Sequence, residues 1–381
     1  MTFFLTTVLS IFAAVSFAQT REIFKISSNL QNANSSAQFT SGPSGLDAPK
    51  VHPINASAFD LWYFDVVSTD PSSLASVVII FTSESPASGP PVLDPTQDSI
   101  LIARLWVTFP NGTSWTTQAF ADSATVVAQE NVSSGQWHGT GFSWKGKARP
   151  DSGYRIDIDA PDVGVKGYIT FAQVAPAHLP CGPISTGQTM QVGPHIGWAN
   201  AVPDASSTVD LEIDGEKLVF KGLGYHDKNW GDQLFSHVAS WYWGHARVGP
   251  YSIVWFDFLD ITGEEFVSAY VAKNGRILTA SCDLNSLSVR PTGADGGSAY
   301  PPVISTPNPS GYHILLDVGE ENGRMEFDVD VVQDIIQPNP TYGRFIGNVS
   351  GRISVPGGKK GAWYTKDLRG VALFDQFKLT E

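Results

Sequence analysis

Several residue types and motifs that mark common protein classes are scarce in or missing from this chain of 381 residues. Lysine and arginine total 24 against 37 acidic residues, giving a formal net charge of −13, which argues against nucleic acid or an anionic membrane as a partner. There is no Gly-x-Ser-x-Gly, no P-loop and no complete Gly-x-Gly-x-x-Gly. A nucleophile-elbow hydrolase is therefore disfavoured, and no nucleotide-binding motif is present.

Cysteine is almost absent, with one at Cys181 and one at Cys282. Two residues a hundred positions apart make no metal knuckle. In an oxidising compartment they would pair and close a long loop; otherwise they are two separate thiols. His226, His237 and His245 have no closely spaced histidine partner, so no metal site is expected.

The chain also lacks an apolar run long enough to span a membrane, although residues 1–18 are apolar and end in Ser-Phe-Ala. This pattern predicts a signal peptide cleaved after Ala18. Asn-x-Ser/Thr sequons agree with that route and lie at Asn34, Asn55, Asn111, Asn131 and Asn348. We therefore expect a glycoprotein of the secretory pathway, resident in the lumen or secreted.

Short runs of Val, Ile, Phe and Thr, separated by many of the 36 glycines and 25 prolines, favour an all-β fold, because no long stretch has helical periodicity. Residues 60–82 and 241–257 each read as a hairpin that opens with Trp-Tyr, which indicates two related β units. We predict a β-sandwich or distorted barrel over 19–233 and a lipocalin-like β-barrel over 234–381, with a cleft between them.

The most informative stretch reads Gly-Tyr-His-Asp-Lys-Asn-Trp-Gly at 224–231 and Trp-Tyr-Trp-Gly-His-Ala-Arg at 241–247. On a strand, Trp241, Trp243 and His245 share one face, which is aromatic with polar groups among the rings. Such a face suits the wall of a ligand cavity, although the tryptophans taken singly also suit a β core.

These two motifs resemble the signature of the fungal lipocalin-like Diels–Alderases and, more distantly, the carotenoid 1,2-hydratase and AttH-like superfamily. Residues 60–65, Asp-Leu-Trp-Tyr-Phe-Asp, resemble that superfamily's Glu-Trp-Trp-Tyr-Phe strand, with Asp60 in place of the glutamate. The resemblance implies a cofactor-independent cyclase that acts on a linear polyene released by a polyketide synthase–peptide synthetase.

The candidate site residues follow from both lines of reasoning. Proposed catalytic groups are Lys360, Asp60 and Asp227; proposed substrate contacts are Trp62, Phe64, His226, Asn229, Trp230, Trp241, Trp243 and His245. Each has a structural alternative: Asp60, Asp227 and Asn229 also suit buried hydrogen bonding, and Lys360 also suits a solvated turn. Because adjacent strand residues face opposite ways, His226 and Asp227 are not expected to form a dyad.

An intramolecular [4+2] cycloaddition of a tetramic acid or pyrrolinone polyene needs only confinement of the reactive conformer and a donor to the dienophile carbonyl. The sequence leaves two other functions open. An alkene hydratase requires a carboxyl with a raised pKa, and a carrier of an apolar ligand requires no catalytic group.

Overall fold

The computed structural model describes residues 21–85, 99–147, 152–336, 340–356 and 363–381. Within these ranges the chain is built almost entirely of antiparallel strands, as predicted, with one four-residue helix, α1 (Leu234–His237). The predicted signal peptide lies outside the described residues and remains a prediction.

The strands up to α1 are as follows: β1 (Arg21–Ser27), β2 (Ser36–Ala37), β3 (Val51–His52), β4 (Ala58–Ser68), β5 (Ser76–Glu84), β6 (Leu101–Thr108), β7 (Ser114–Phe120), β8 (Ser123–Gln129), β9 (Val132–His138), β10 (Phe142–Lys147), β11 (Gly153–Ala160), β12 (Val165–Gln173), β13 (His178–Leu179), β14 (Gly182–Pro183), β15 (Gln191–Gly193), β16 (Ile196–Ile213) and β17 (Glu216–Asp232).

The strands after α1 are as follows: β18 (Val238–Val248), β19 (Tyr251–Asp260), β20 (Glu265–Lys273), β21 (Arg276–Ser281), β22 (Leu287–Thr292), β23 (Gly311–Asp317), β24 (Arg324–Ile336), β25 (Tyr342–Pro356) and β26 (Trp363–Lys378). Short 3₁₀ turns at Pro161–Val163 and Leu284–Ser286 connect strands.

Two large sheets contain all of these strands except β2 and β3, which pair only with each other. In the first sheet the main path runs β1-β8-β9-β10-β11-β12-β16-β17-β4-β5-β6-β7, with β13, β14 and β15 joined beside β16. In the second sheet the order is β21-β20-β19-β18-β26-β25-β24-β23-β22. The predicted boundary at 233 falls between β17 and β18, and the division into separate domains remains a prediction.

Three apolar cores account for the burial in this arrangement. The first lies inside the first sheet and includes Trp62, Phe64 and Trp144. The second lies where the two sheets pack together. The third lies inside the curled second sheet, where Tyr242 and Phe374 are buried.

Strand alternation decides which core each side chain joins. In β4, Trp62 and Phe64 enter the first core, whereas Phe59 and Tyr63 enter the core between the sheets. In β18, Trp243 faces the inter-sheet core and Tyr242 faces the interior of the second sheet. The period-two alternation expected of these strands therefore holds.

Covalent and ionic links also join the sheets. Cys181, between β13 and β14, is disulfide-bonded to Cys282, just after β21, so the pairing left open by the sequence is formed. Arg247 of β18 donates from Nε to Asp204 of β16 over 3.0 Å, and the Ser252 hydroxyl donates to the same carboxylate over 2.5 Å. The walls of the cleft between the sheets are thus tied to each other.

Candidate active site

A cavity lies between the two sheets, and about 850 Å³ of space there is free of atoms, including the part open to solvent. Apolar and aromatic side chains predominate in its lining, with a few charged groups among them. The lining residues are Phe59, Leu61, Tyr63, Ile80, Thr82, Glu84, Arg104, Trp106, Ile196, Asp227, Asn229, Leu234, Trp241, Trp243, Phe256, Ile336, Tyr342, Arg344 and Asp375. This composition is typical of a site for an apolar small molecule with a few polar groups.

The first sheet supplies one wall through four adjacent strands. Asp227 of β17 pairs with Tyr63 of β4, which pairs with Ile80 of β5, which pairs with Arg104 of β6. Cross-strand partners point to the same face, so these side chains form one row across the sheet. Asn229 lies one row away, opposite Leu61.

The second sheet supplies the opposite wall. Trp241 and Trp243 project from β18, two residues apart on one face, as the sequence predicted. The Trp243 ring meets the Tyr63 ring edge to face, with 5.2 Å between centroids. The Trp241 ring stacks on Phe377 at 4.2 Å. These contacts fix both indoles before any ligand enters.

Asp227 is held at one end of the cavity by three donors. Its Oδ2 accepts hydrogen bonds from Trp198 Nε1 over 2.7 Å and from the Tyr225 hydroxyl over 2.8 Å. Its Oδ1 accepts from Asn229 Nδ2 over 2.7 Å. Burial raises the pKa of Asp227 to about 7 in spite of these donors. Near neutral pH this carboxyl is therefore close to half-protonated.

Asp375 and Arg344 meet on the opposite wall. Trp241 Nε1 donates to Asp375 Oδ1 over 3.2 Å, and the Tyr342 hydroxyl donates to Oδ2 over 2.9 Å. Burial raises the pKa of Asp375 to about 6, and the positive charge of Arg344 opposes that rise. With both carboxylate oxygens engaged, Asp375 makes only a long ion pair of 3.6 Å with Arg344 Nη2.

Glu84, at the end of β5, is the third carboxyl of the cavity. Its nearest cation is Arg104, with 3.8 Å between Oε1 and Nη1. Neither oxygen accepts a hydrogen bond of normal geometry from a described residue. Burial raises the pKa of Glu84 to about 7, against the lowering effects of Arg104 and the Thr82 hydroxyl. A protonated Glu84 can therefore donate into the cavity.

A buried relay lies behind Tyr63. The Tyr63 hydroxyl donates to Asp65 Oδ2 over 2.7 Å, and His245 Nε2 lies 2.9 Å from the same oxygen. The His245 ring stacks on Tyr225 at 4.5 Å. His245 therefore supports the cavity wall from behind and is absent from the lining itself.

The structure corrects the predicted position of five other residues. Trp62, Phe64 and Trp230 are fully buried in the core of the first sheet, on the face of β4 and β17 that points away from the cavity. His226 stacks on Phe64 at 3.8 Å, and its ring nitrogens lie 2.8 Å from the Tyr63 carbonyl and 3.3 Å from Asp47 Oδ2.

Asp60 is the fifth of these residues. It forms a buried ion pair with Lys228 and accepts a hydrogen bond from the backbone N–H of Lys50 over 2.8 Å. Its position fits the structural alternative for this residue, because both of its polar partners are buried and neither lines the cavity. Asp60 and Trp230 are cross-strand partners, so both side chains point to the face of the first sheet that is turned away from the cavity.

Four of the predicted residues do line the cavity together: Asp227, Asn229, Trp241 and Trp243. Lys360 lies outside the described residues, so its role remains a prediction. Sequence reasoning missed Tyr63, Glu84, Arg104, Tyr342, Arg344 and Asp375. Tyr63 could have been predicted, because it belongs to the motif at 60–65 that was already singled out. It points to the same face of β4 as Leu61, which also lines the cavity. The others stand alone in their strands, with no motif around them.

Neither a metal-ligand cluster nor a membrane-spanning helix is found in the described residues. No group of three or more His, Cys, Asp or Glu side chains there is placed to hold a metal ion. No helix in that part of the chain has the length and apolar character needed to cross a membrane.

The fold and the cavity together define a class: a lipocalin-like all-β protein with a ligand cavity between two sheets. The solved structure of CghA with Sch210972 superposes with a TM-score of 0.71 over 94% of this chain and 99% of that one, at 18% identity. The model of the Diels-Alderase-like family matches residues 19–290. The chain belongs to this family.

Named relatives lie in fungi. The chain is 36% identical to the quinolone epoxide rearrangement protein penF of Penicillium thymicola, over 92% of this chain and 93% of that protein. It is 26% identical to the Diels-Alderase ucsH of an Acremonium species, over 65% of this chain and 62% of that protein. The family resemblance carried by residues 224–247 is thereby confirmed.

Proposed function

We propose that this protein is a cofactor-independent isomerase that opens and rearranges an epoxide on a quinolone-type substrate. The observation that carries the proposal is Glu84, a cavity carboxyl with a pKa of about 7 whose oxygens accept no hydrogen bond of normal geometry from the described residues. Similarity to penF over nearly the whole chain supports the substrate class.

The reaction needs an acid, a place for positive charge and a base. Protonated Glu84 donates its proton to the epoxide oxygen, and one C–O bond breaks with its electron pair going to oxygen. A neighbouring group migrates to the cationic carbon with its bonding electrons. The oxygen then forms a carbonyl and returns its proton to Glu84, so the product is an isomer of the substrate and the acid is regenerated.

The aromatic walls suit the cationic intermediate. The rings of Trp241 and Trp243, which line the cavity, carry the negative part of the ring quadrupole on their faces, which attracts a positive centre without reacting with it.

Rate measurements on the epoxide test this assignment. Because an acid must be protonated to act, activity should be highest below pH 7 and fall as the pH rises through about 7, the pKa of Glu84. Glu84→Gln should slow the reaction by about 10²–10⁴-fold. The matched control is Asp227→Asn, whose carboxyl is engaged by three donors and should matter less.

Product analysis separates the alternatives. An isomer of unchanged mass, formed by the wild type and lost in Glu84→Gln, supports the proposal. Full activity of Glu84→Gln, or a pH profile that rises through 7, would contradict it. A product heavier by one water would indicate a hydratase, and binding without turnover would indicate a carrier.

A second candidate is the [4+2] cyclisation of a linear polyene attached to a tetramic acid or pyrrolinone, formed downstream of a polyketide synthase–peptide synthetase. The family membership favours it, and the cavity supplies aromatic walls with cationic donors at Arg344 and Arg104. Cyclisation of such a polyene, with the epoxide left unchanged, would establish this function in place of the first. In that case Glu84→Gln should have little effect.

A further inference from the structure

The guanidinium of Arg344 combines deep burial with unused donors. Its side chain is only 7% exposed, and its charge lies over the rings of Tyr63 and Tyr342 at 4.7 and 5.2 Å. Its Nε and Nη1 donate no hydrogen bond of normal geometry to any described residue. Buried donors are normally paired, because leaving one unpaired costs free energy.

Tyr342 and Asp375 both interact with Arg344, but neither accepts a hydrogen bond of normal geometry from Nε or Nη1. Asp375 is paired with Arg344 only through Nη2, and its oxygens already accept from Trp241 and Tyr342. The Tyr63 hydroxyl is committed to Asp65. Arg344 therefore presents a fixed positive charge with free N–H groups to the cavity, held between two aromatic rings.

We propose that Arg344 is the receptor for a ring carbonyl or enolate oxygen of the substrate, and that this contact selects substrates with a conjugated cyclic amide or vinylogous acid. An electron-rich oxygen satisfies the guanidinium best, because charge-assisted hydrogen bonds are the strong ones. The ring that carries the oxygen then lies against the aromatic lining of the cavity, which includes Tyr63, Trp241 and Trp243. The inference rests on the proposed function only for the choice of a quinolone as the probe.

The charge of the cavity lining also suits a neutral or weakly acidic oxygen. Burial raises the pKa of Asp227, Glu84 and Asp375 to about 7, 7 and 6, so the cavity carboxyls are partly neutral near pH 7. Two arginines, Arg104 and Arg344, line the same space. The cavity thus carries less negative charge than the chain as a whole.

A matched pair of ligands tests the proposal without any turnover. Quinolin-2-one carries the ring carbonyl, whereas 2-methylquinoline has the same bicyclic shape with a methyl group in place of the oxygen and no hydrogen on the ring nitrogen. Isothermal titration calorimetry on the wild type should give tighter binding of quinolin-2-one. Arg344→Met should weaken its binding by at least about tenfold and change the binding of 2-methylquinoline little.

Three further variants keep the test decisive. Arg344→Lys should recover part of the preference, because it restores the charge without the fork of donors. The double variant Arg344→Met/Asp375→Asn removes both charges together and should also lose the preference, which covers the case in which the single variant folds poorly. Arg104→Met, at the other cavity arginine, should retain it.

Equal binding of the two ligands by the wild type would overturn the inference. So would an equal loss for both ligands in Arg344→Met and the double variant, which indicates a purely structural role, or loss of the preference in Arg104→Met. Preference for quinolin-2-one without rearrangement of the epoxide would leave this inference standing while the proposed function fails.

Discussion

Asp60 and Lys228 are both almost completely buried, at 1% and 0% side-chain exposure, and each is the other's counter-ion. The Lys228 ammonium lies 3.6 Å from the Trp62 ring centroid, so it is enclosed by an aromatic face and a carboxylate. Such pairs contribute little net stability, but removing one partner is expensive because the other charge is left alone in a dry interior. The acid that the sequence singled out as catalytic is therefore placed as a structural group.

Asp60→Asn should accordingly lower the free energy of unfolding by about 3–5 kcal/mol. The pH–rate profile of the protein that remains folded should be unchanged, because Asp60 faces away from the cavity. Chemical denaturation and a pH–rate profile make the two measurements. The exposed pair between Lys166 and Glu212 offers a control, and Glu212→Gln should change stability little. Loss of activity in an Asp60→Asn variant of normal stability would show instead that the carboxyl is catalytic.

Single strands show how far the sequence determines the site. Alternation in β4, β17 and β18 follows directly from their residues, which is why Asp227, Asn229, Trp241 and Trp243 were found. The sequence of β4 does not determine which of its faces packs against the second sheet, because both faces are apolar and aromatic. That is decided by the tertiary structure. The sequence therefore predicts Trp62 and Phe64 in the cavity, whereas Tyr63 and Leu61 line it.

The remaining site residues come from strands distant in sequence. Arg344 and Asp375 are cross-strand partners in β25 and β26, more than a hundred residues after the motif at 224–231. Nothing local distinguishes them from other charged residues in strands, because their burial and unused donors arise only when the second sheet covers the first. The all-β class was predictable from period-two runs and turn residues, whereas these contacts were not.

Trp62 and Trp241 give a direct test of these positions. Trp62 lies in the core of the first sheet, and Trp241 lines the cavity. Trp62→Ala removes a fully buried ring whose Nε1 donates to the Asp47 carbonyl over 2.7 Å, and should cost about 3–5 kcal/mol of stability. Trp241→Ala enlarges an existing cavity and should cost less, about 1–2 kcal/mol. Trp241→Ala should, however, lower both the reaction rate and the product selectivity, because unwanted substrate conformers then fit into the cavity.

Thermal unfolding and the isomer ratio of the product measure these effects side by side. Trp230→Ala serves as a second core variant and should follow Trp62→Ala. A selective loss of product control in Trp62→Ala, with Trp241→Ala behaving as wild type, would contradict the assignment of the two faces.

At the scale of the whole molecule, the cavity exists only because the two sheets pack against each other.

The sequons are compatible with a luminal protein, since Asn34, Asn111, Asn131 and Asn348 are exposed and Asn55 is half-buried. Passage through the secretory pathway and glycosylation remain predictions, and a mobility shift on endoglycosidase treatment of protein from a eukaryotic host would test both.

The Cys181–Cys282 bond ties a loop of the first sheet to the end of β21 in the second, 101 residues further along the chain. Closing a loop of that length stabilises the folded state by about 4–5 kcal/mol in the chain-entropy model, because the unfolded chain loses conformations. The same bond limits how far the sheets that form the cavity walls can separate.

Cys181→Ser/Cys282→Ser should therefore lower the free energy of unfolding by about 2–5 kcal/mol and weaken ligand binding in the protein that remains folded. The expected loss of binding has a different cause from the loss of stability. Tyr63 and Trp243 meet edge to face across the cleft, and they belong to the two sheets that the disulfide joins. Without the disulfide, the positions of these two rings relative to each other are less well fixed. Denaturant titrations with and without reductant give the stability, and calorimetry with quinolin-2-one gives the affinity. Reductant should destabilise the wild type and leave the double variant unchanged. Equal stability of the two proteins under oxidising conditions, or unchanged affinity in the variant, would show that the packing of the sheets and the Arg247–Asp204 ion pair suffice to hold the cavity in shape.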